Sequence, residues 1–558
     1  MTVTHLKFRD LLSEYKNKIF LILGYILSIT FLLLQIKYII SSYNNYPFNL
    51  AWSEGGRIFA AYQVYAPIIA GKYLSFPWLD PGRSILDGLV LLIPHVSIGT
   101  YRLWINILFF IFSFLAALLT VRKALGFSEI PVLQKKELVV LLSLWGTLFL
   151  LQGPIYYHLL AGILPILWFY DEKCPVRNLI VIIICSIWEA LGRVNWFLMP
   201  ATLVILLHVL RTPLPLRPQK VWNYIKWPLV YAFSGGISSF TIYLIYMKAM
   251  GFVIPFLNPS MNYHFALYKL WPNTGFMGLL PDITLISLPT LLIILYNVWE
   301  YRQKLHWIRL LIILSILGVF FAGSTVVSLR AGGGYDSHNY DSFLLLIFIT
   351  ICFLGVGAEY LDKSGGSGKL PLTYPAVIIF LLFIPIWLAI PKTSKSASST
   401  TAPSEQSLST AQSEQTFATP QSEQQALLEI KQILEKPSES NADHPILFID
   451  QRQLLVFNMI KVENIVVPYE KIELMEMAMA RNEKYKRQVQ SDLENHKYSL
   501  IVSEVLVPWA KSYSPNLFER DWYENNVWVD FVAIPVLDNY SPIYINEDIG
   551  IAIYAPKQ

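Results

Sequence analysis

The sequence predicts a polytopic α-helical membrane protein, with about 11 spans plus interfacial helices and a small C-terminal extracytoplasmic α/β domain. Three observations carry this. Hydrophobic residues make up 54% of the 558 positions and charged residues 15%, where a soluble domain carries roughly 25% charged residues. Eleven apolar runs, most of them near the length that crosses a bilayer, lie before residue 391. After it the composition turns soluble-like. So few charges cannot coat the several soluble domains the length would otherwise suggest, and disorder, collagen and a disulfide scaffold are excluded as whole-chain classes. The net charge of +4, with no basic run, gives no reason to expect a nucleic-acid partner. The three cysteines, Cys174, Cys185 and Cys352, read as inert packing or loop residues.

The first run, Ile19 to Ile40, is 22 residues long and follows Lys7, Arg9, Lys16 and Lys18. No small-residue cleavage site follows it, which predicts a retained signal anchor. Further runs cover 100–121, 137–152, 154–170, 178–192, 196–210, 227–247, 278–298, 307–328, 342–359 and 372–391. Residues 85–98, with Asp87 and Pro94 inside, are too short to span and are expected at the outer interface. With that segment not crossing, the inner segments carry 19 Lys and Arg and the outer ones 7. The positive-inside rule therefore places the N-terminus in the cytoplasm and the C-terminal region outside the cell membrane.

The membrane part is taken as 1–392, with a first outer loop at 41–84. Residues 393–425 are rich in Ser, Thr, Ala, Gln and Glu and are expected to be a flexible linker. Residues 426–558 are expected to form the outer domain, its helical start already visible as an amphipathic pattern over 421–436. PILFID, ENIVVP and YSLIVSEVLV read as strands, 470–496 as helix, and VDFVAIPVLDNYSPIYINEDIGIAIYAP as antiparallel strands. Met475, Met477 and Met479 read as helix packing. No nucleophile elbow, P-loop or dinucleotide glycine pattern occurs there.

The outer loops hold the residues that could do chemistry. The 44-residue loop 41–84 is longer than connection requires. It contains Glu54, Arg57, Asp80 and Arg83, with Asp87 just beyond. Gly55 and Gly56 after Glu54 permit turning and close approach of a ligand, and RIFAAYQVYAPIIA reads as an amphipathic helix on the membrane surface. An outer-face carboxylate suits a general base that deprotonates an acceptor hydroxyl. A phosphate leaving group calls for arginine, whose guanidinium binds in a bidentate fork; Arg57, Arg83, Arg193 and Arg330 lie on that face. Each has a plainer reading: Glu54 as a solvated surface group, Asp80 with Arg83 as an ion pair closing the PWLDPGRS turn, Arg193 as an interfacial snorkelling residue beside Asn195. In LRAGGGYDSHNYD (329–341), Asp336, His338 and Asp341 are of metal-binding type, but their spacing matches no specific motif; a divalent metal is not favoured and no cofactor is required. His158 and His264 read as interfacial and structural.

Taken together, these parts resemble the GT-C superfamily of membrane glycosyltransferases, in its prokaryotic protein-mannosyltransferase-like and aminoarabinose-transferase-like branches. The resemblance rests on the first span, the early acid in WSEGGR, the stretch AGKYLSFPWLDPGRS, the interfacial helix after it, the segment LGRVNWFLMPA and the outer C-terminal domain. It implies that Glu54 is the catalytic base, although Ser53 stands where many members have the Asp of an Asp-Glu pair. It also implies a polyprenyl-phosphate-linked sugar donor entering from the bilayer, an extracytoplasmic lipid, glycan or protein acceptor, and a basic residue on the lipid phosphate. Arg57, Arg83, Arg193 and Arg330 are all candidates for that residue, with Asp80, Asn195, Asp336 and His338 as further substrate contacts. Two other functions stay open: an outer-face polysaccharide polymerase or ligase that depends on arginines without an essential Glu, and a lipid-linked glycan transporter. A transporter would place charges at mid-membrane depth, whereas most charges here fall in loops and Glu189 lies near a span end.

Overall fold

The computed structural model describes residues 2–77, 80–126, 132–152, 155–212, 214, 218–250, 267–272, 278–300, 306–330, 337–356, 376–385, 420–435, 444–512 and 522–557. The membrane part consists of α1 (Thr2–Ser41), α2 (Glu54–Ile69), α3 (Pro81–Gly88), α4 (Ile98–Leu125), α5 (Val132–Gln152), α6 (Tyr157–Phe169), α7 (Pro175–Gly192), α8 (Met199–Arg211), α9 (Pro218–Ala249), α10 (Leu279–Glu300), α11 (Trp307–Arg330), α12 (Asp341–Val356) and α13 (Ala376–Pro385). Eight of the described helices are long and apolar enough to cross a membrane: α1 from Lys18, α4, α7, α8 with the turn before it, α9 from Tyr224, α10, α11, and α12 with the turn before it. Helices α5, α6 and α13 occupy the other three apolar runs. The segment after loop 41–84 forms α3, of 8 residues, and a 3-10 turn at Leu89–Leu92, both far too short to span.

Local chemistry sets these boundaries. Ser97 caps α4 by accepting the Thr100 N–H at 3.1 Å, and Arg122 and Lys123 sit in its last turn, where positive charge suits the helix dipole. Asp80 adopts a left-handed conformation (φ 50°) and Pro81 starts α3, a position where its missing N–H costs nothing. The apolar stretch of α12 is 94% buried by the protein itself, and that of α1 only 11%, so α12 is the axis of the bundle and α1 lies at its lipid edge. Trp145 and Phe149 of α5 pack on Phe348 of α12 with ring centroids 5.5 and 5.8 Å apart, an arrangement worth about 1 kcal/mol per pair beyond burial.

The C-terminal region contains α14 (Pro420–Glu435), β1 (Ile446–Phe448), α15 (Gln453–Val456), α16 (Lys471–Met479), α17 (Glu483–Glu494), β2 (Leu500–Ser503), α18 (Trp522–Trp528), α19 (Ile534–Asn539), β3 (Tyr540–Asn546) and β4 (Ile551–Pro556). Its sheet has the order β1-β2-β4-β3; β1 and β2 are parallel, with Ile446 opposite Leu500, and the other pairs are antiparallel. Strand alternation sends Ile501 to a core with α16, α17 and α19, and Val502 to the opposite face, with α14 and Phe48 of the first loop. Met475, Met477 and Met479 are buried, as packing residues are.

Three expectations are corrected. ENIVVP makes a single bridge, Ile465 with Ile446, rather than a strand. The run VDFVAIPVLDN is a π-helical turn followed by α19, because a short apolar run does not by its periodicity distinguish strand from buried helix. Helix α14 begins at Pro420, inside the stretch read as linker up to 425; residues 393–419 lie outside the described residues.

The C-terminal region is seated on the first loop. Asn49 donates its backbone N–H to Gln451 Oε1 (3.0 Å) and its amide to Asp450 Oδ1 (2.5 Å), and Gln453 donates to the Pro47 carbonyl (3.1 Å). Arg452 spends its donors on the carbonyls of Phe448, Val467 and Pro468 and stands 4.9 Å over the Phe59 ring. Lys471 bridges Asp450 (3.0 Å) and Glu504 (2.6 Å) above Trp52. A Cβ on Gly55 would run into Gln453, and one on Gly56 into the Glu470 carboxyl. The glycine pair thus makes room for the chain's own C-terminal region, not for a ligand. Helix α2 is therefore largely covered by protein, except at its end, where Ile68 and Ile69 are exposed.

Two outcomes follow from this seat. Gly56→Val should cost about 1–3 kcal/mol and speed cleavage of the C-terminal region in limited proteolysis. Burial pushes the Glu470 carboxyl up from its ordinary 4.5 to about 7, against the pull of Arg452 and the Ile472 N–H. Between those two values the folded state holds the extra proton, so stability falls as pH rises through that window, by about 3 kcal/mol at most. Glu470→Gln should flatten that slope in thermal melts taken across it.

Candidate active site

Where α4 and α6 meet the first loop, a cavity opens among Glu54, Arg57, Arg83, Asp87, Arg102, Tyr156, Tyr157 and His158, with Tyr101, Ile105 and Phe109 supplying apolar wall.

One side is built by Arg102, in the first turns of α4 and only 6% exposed. Its Nε donates to Glu54 Oε1 at 2.7 Å and its Nη2 to Glu54 Oε2 at 2.9 Å. The remaining donors reach the carbonyls of Asn44 (2.8 Å), Tyr46 (2.7 Å) and Phe48 (2.9 Å). All five guanidinium N–H groups are thereby used. Glu54 Oε2 also accepts the Leu50 N–H at 2.7 Å. Glu54 sits in the first turn of α2, where the helix dipole favours a carboxylate. It is neither the solvated surface group of the plain reading nor a carboxylate with a vacant oxygen.

The other side is organised by Tyr156. The Arg83 guanidinium lies 4.4 Å and that of Arg193 5.3 Å from its ring centre, and the His338 ring meets it edge-on at 5.4 Å. Arg57 belongs to the same electrostatic neighbourhood. Burial pushes its guanidinium below the ordinary value and the charges of Arg83 and Arg193 add to this, against Tyr156 and Asp87. Arg83 pairs with Asp80 at 2.8 Å, the turn-closing contact expected from PWLDPGRS, and Arg193 donates to Asn339 Oδ1 at 2.9 Å. Arg83 Nε and Arg193 Nη1 are nevertheless buried without an acceptor among the described residues. Buried cationic donors of this kind fit an anion such as phosphate.

Between the two sides, Asp87 of α3 receives the Tyr157 hydroxyl and His158 Nε2 (2.7 Å), both on Oδ1. Behind the site, Asp341 takes the Trp196 indole N–H at 2.7 Å, and Glu189 is fully buried with neither oxygen hydrogen-bonded among the described residues.

The structure thus gathers Arg57, Asp80, Arg83, Arg193 and His338 about Tyr156, and holds Glu54 across the cavity. Asn195 adjoins Arg193 in the Val194–Trp196 turn, its side-chain nitrogen buried without a partner among the described residues. Asp336 and the Arg330 side chain lie outside the described residues. No group of three metal-ligating side chains occurs among the described residues. His338 lies in the field of Arg193, Arg57, Arg83 and Lys269, surroundings that oppose a metal cation. Sequence reasoning missed Arg102, although a charge inside a span start is a functional signal. It also passed over the Tyr156-Tyr157-His158 run, where the His158 side chain is a buried wall residue rather than an interfacial one.

No family profile matches the sequence, and no curated protein matches it. Among solved structures, the crystal structure of ArnT from Cupriavidus metallidurans bound to undecaprenyl phosphate matches with a TM-score of 0.42 and 10% identity, covering 94% of this chain and 97% of that one.

Removing the Arg102 head group should be among the most damaging changes in the protein. Arg102→Met leaves the half-buried Glu54 without its counter-ion and three carbonyls without a donor, a loss of about 3 kcal/mol. A thermal melt in detergent should show it as a large fall in Tm.

Proposed function

We propose that this chain is an integral membrane glycosyltransferase that takes a sugar from a polyprenyl-phosphate-linked donor and passes it to a lipid, glycan or protein acceptor outside the cytoplasm. The observation that supports it is the convergence of Arg57 and Arg83 on one cavity with the carboxylates Glu54 and Asp87, with Arg193 sharing the Tyr156 ring. Cleaving the sugar–phosphate bond puts negative charge on the departing phosphate, and fixed guanidinium donors stabilise it. The acceptor must lose a proton as it attacks, which requires a base nearby. The cavity lies where spanning helices meet the first loop, so a prenyl tail can remain in the bilayer while its phosphate reaches the arginines.

Parity and charge support one orientation. The first loop and the C-terminal region touch, which calls for an even number of crossings between them, and the sequence has ten apolar runs there. The excess of Lys and Arg on the opposite side puts this shared face outside and the N-terminus inside the cell membrane. In this reading the C-terminal region braces the first loop and the membrane part carries the reaction.

The test is binding of polyprenyl phosphate to the protein in nanodiscs, together with sugar transfer from a polyprenyl-phosphate donor. Arg57→Ala and Arg83→Ala should each weaken binding about 10- to 100-fold, the loss of a charge-assisted hydrogen bond or two. Binding unchanged in both variants would overturn the reading. Glu54→Gln should lower transfer together with thermal stability, because it loosens Arg102; a stable, fully active variant would remove Glu54 from the mechanism.

A further inference from the structure

Two carboxylates face the cavity, and they are held differently. Glu54 has a guanidinium N–H on each oxygen and a backbone N–H besides. Proton transfer to it would have to break the ion pair that satisfies the buried Arg102. Asp87 has both of its hydrogen bonds on Oδ1, from the Tyr157 hydroxyl and from His158. No hydrogen bond reaches Oδ2 among the described residues, and the side chain keeps 11% of its surface. Oδ2 is therefore the carboxylate oxygen left to the cavity.

We infer that Asp87, not Glu54, is the residue that takes the acceptor's proton, with Tyr157 and His158 as the residues that position it. This rests on the glycosyltransferase reading and deepens it. In the step, the acceptor O–H bond breaks and its proton goes to Asp87 Oδ2. The acceptor oxygen forms a bond to the anomeric carbon. The bond from that carbon to the phosphate oxygen breaks, its electron pair leaving on the polyprenyl phosphate beside Arg57 and Arg83. Glu54 acts at one remove, as the counter-ion that fixes Arg102 and the first loop.

The charges around Asp87 suit this role. Burial works to raise its carboxyl, and His158, the Tyr157 hydroxyl and Arg83 outweigh it, so the group lies below its ordinary value and is ionised at neutral pH. The groups that face it are Arg57 from α2, Arg83 from its own helix, Tyr101 from α4 and Tyr157 with His158 from α6. His158 is itself held from behind, its ring tilted 30° against that of Tyr157 with centroids 3.8 Å apart and its carbonyl accepting the Trp188 indole N–H at 3.2 Å.

The experiment measures transfer and polyprenyl phosphate binding for Asp87→Asn, His158→Ala and His158→Gln in nanodiscs. Asp87→Asn should lose about 100-fold or more of kcat, as removal of a general base does, while binding polyprenyl phosphate no more weakly than the parent. His158→Ala removes a group that holds the Asp87 carboxyl down, so the acid limb of its kcat/KM–pH profile should move to higher pH. His158→Gln, which keeps an N–H donor, should recover part of the lost rate. Asp87→Asn transferring at a tenth of the parent rate or better, while Arg83→Ala has lost transfer, would overturn the inference and leave the glycosyltransferase reading standing. A parent protein that neither binds polyprenyl phosphate nor transfers sugar would overturn the reading itself. Should Asp87→Asn fail to fold, His158→Ala decides: a shifted acid limb supports the inference and an unmoved one overturns it.

Discussion

Arg102 is the interaction on which the rest of the site depends. Its five donors reach two oxygens of Glu54 and three carbonyls of residues 44–48, so one side chain converts the start of a long loop into a fixed wall. Arginine alone has the donor number and the planar fork for this. Such a group is expensive to bury, which is why none of its donors is left unused. With that wall set, α2 starts at Glu54, its two glycines face outward, and the C-terminal region finds its seat. The cavity is then bounded by side chains whose positions are fixed from two directions.

The opposite wall follows a different rule. Tyr156 is a flat aromatic face against which arginines can lie without an acid neutralising each of them. Arg83 keeps Asp80, but Arg193 meets an amide rather than a carboxylate. Positive charge therefore accumulates on the Tyr156 side while Glu54 is neutralised on the Arg102 side. The asymmetry separates a region that can take an anion from one that is purely architectural, and Asp87 stands between them.

Much of the membrane architecture was legible in the sequence, because hydrophobic runs of spanning length are a direct physical demand of the bilayer. The short 85–98 segment and the turn-closing pair Asp80 and Arg83 followed from residue type and position. The partners of Glu54 and Asp87 did not. Arg102 lies 48 residues from Glu54 and His158 lies 71 from Asp87, so no local pattern joins them. Gly55 and Gly56 announced a close approach, but what approaches comes from some 400 residues further along. In the C-terminal region the strands that pair as β1, β2 and β4 were readable, whereas VDFVAIPVLDN was not, since burial in a helix and in a strand select the same apolar residues.

The seat on the first loop also has a meaning in time. Asn49 leaves the ribosome well before its partners Asp450 and Gln451, which come 401 and 402 residues later. Closing so long a loop costs entropy that grows only slowly with its length, but it cannot begin before residues 450–453 are made. The membrane helices can insert and pack while the loop's outer side still lacks its cover. A product stalled before residue 450 would thus carry the arginines and carboxylates without the brace that holds its first loop in place.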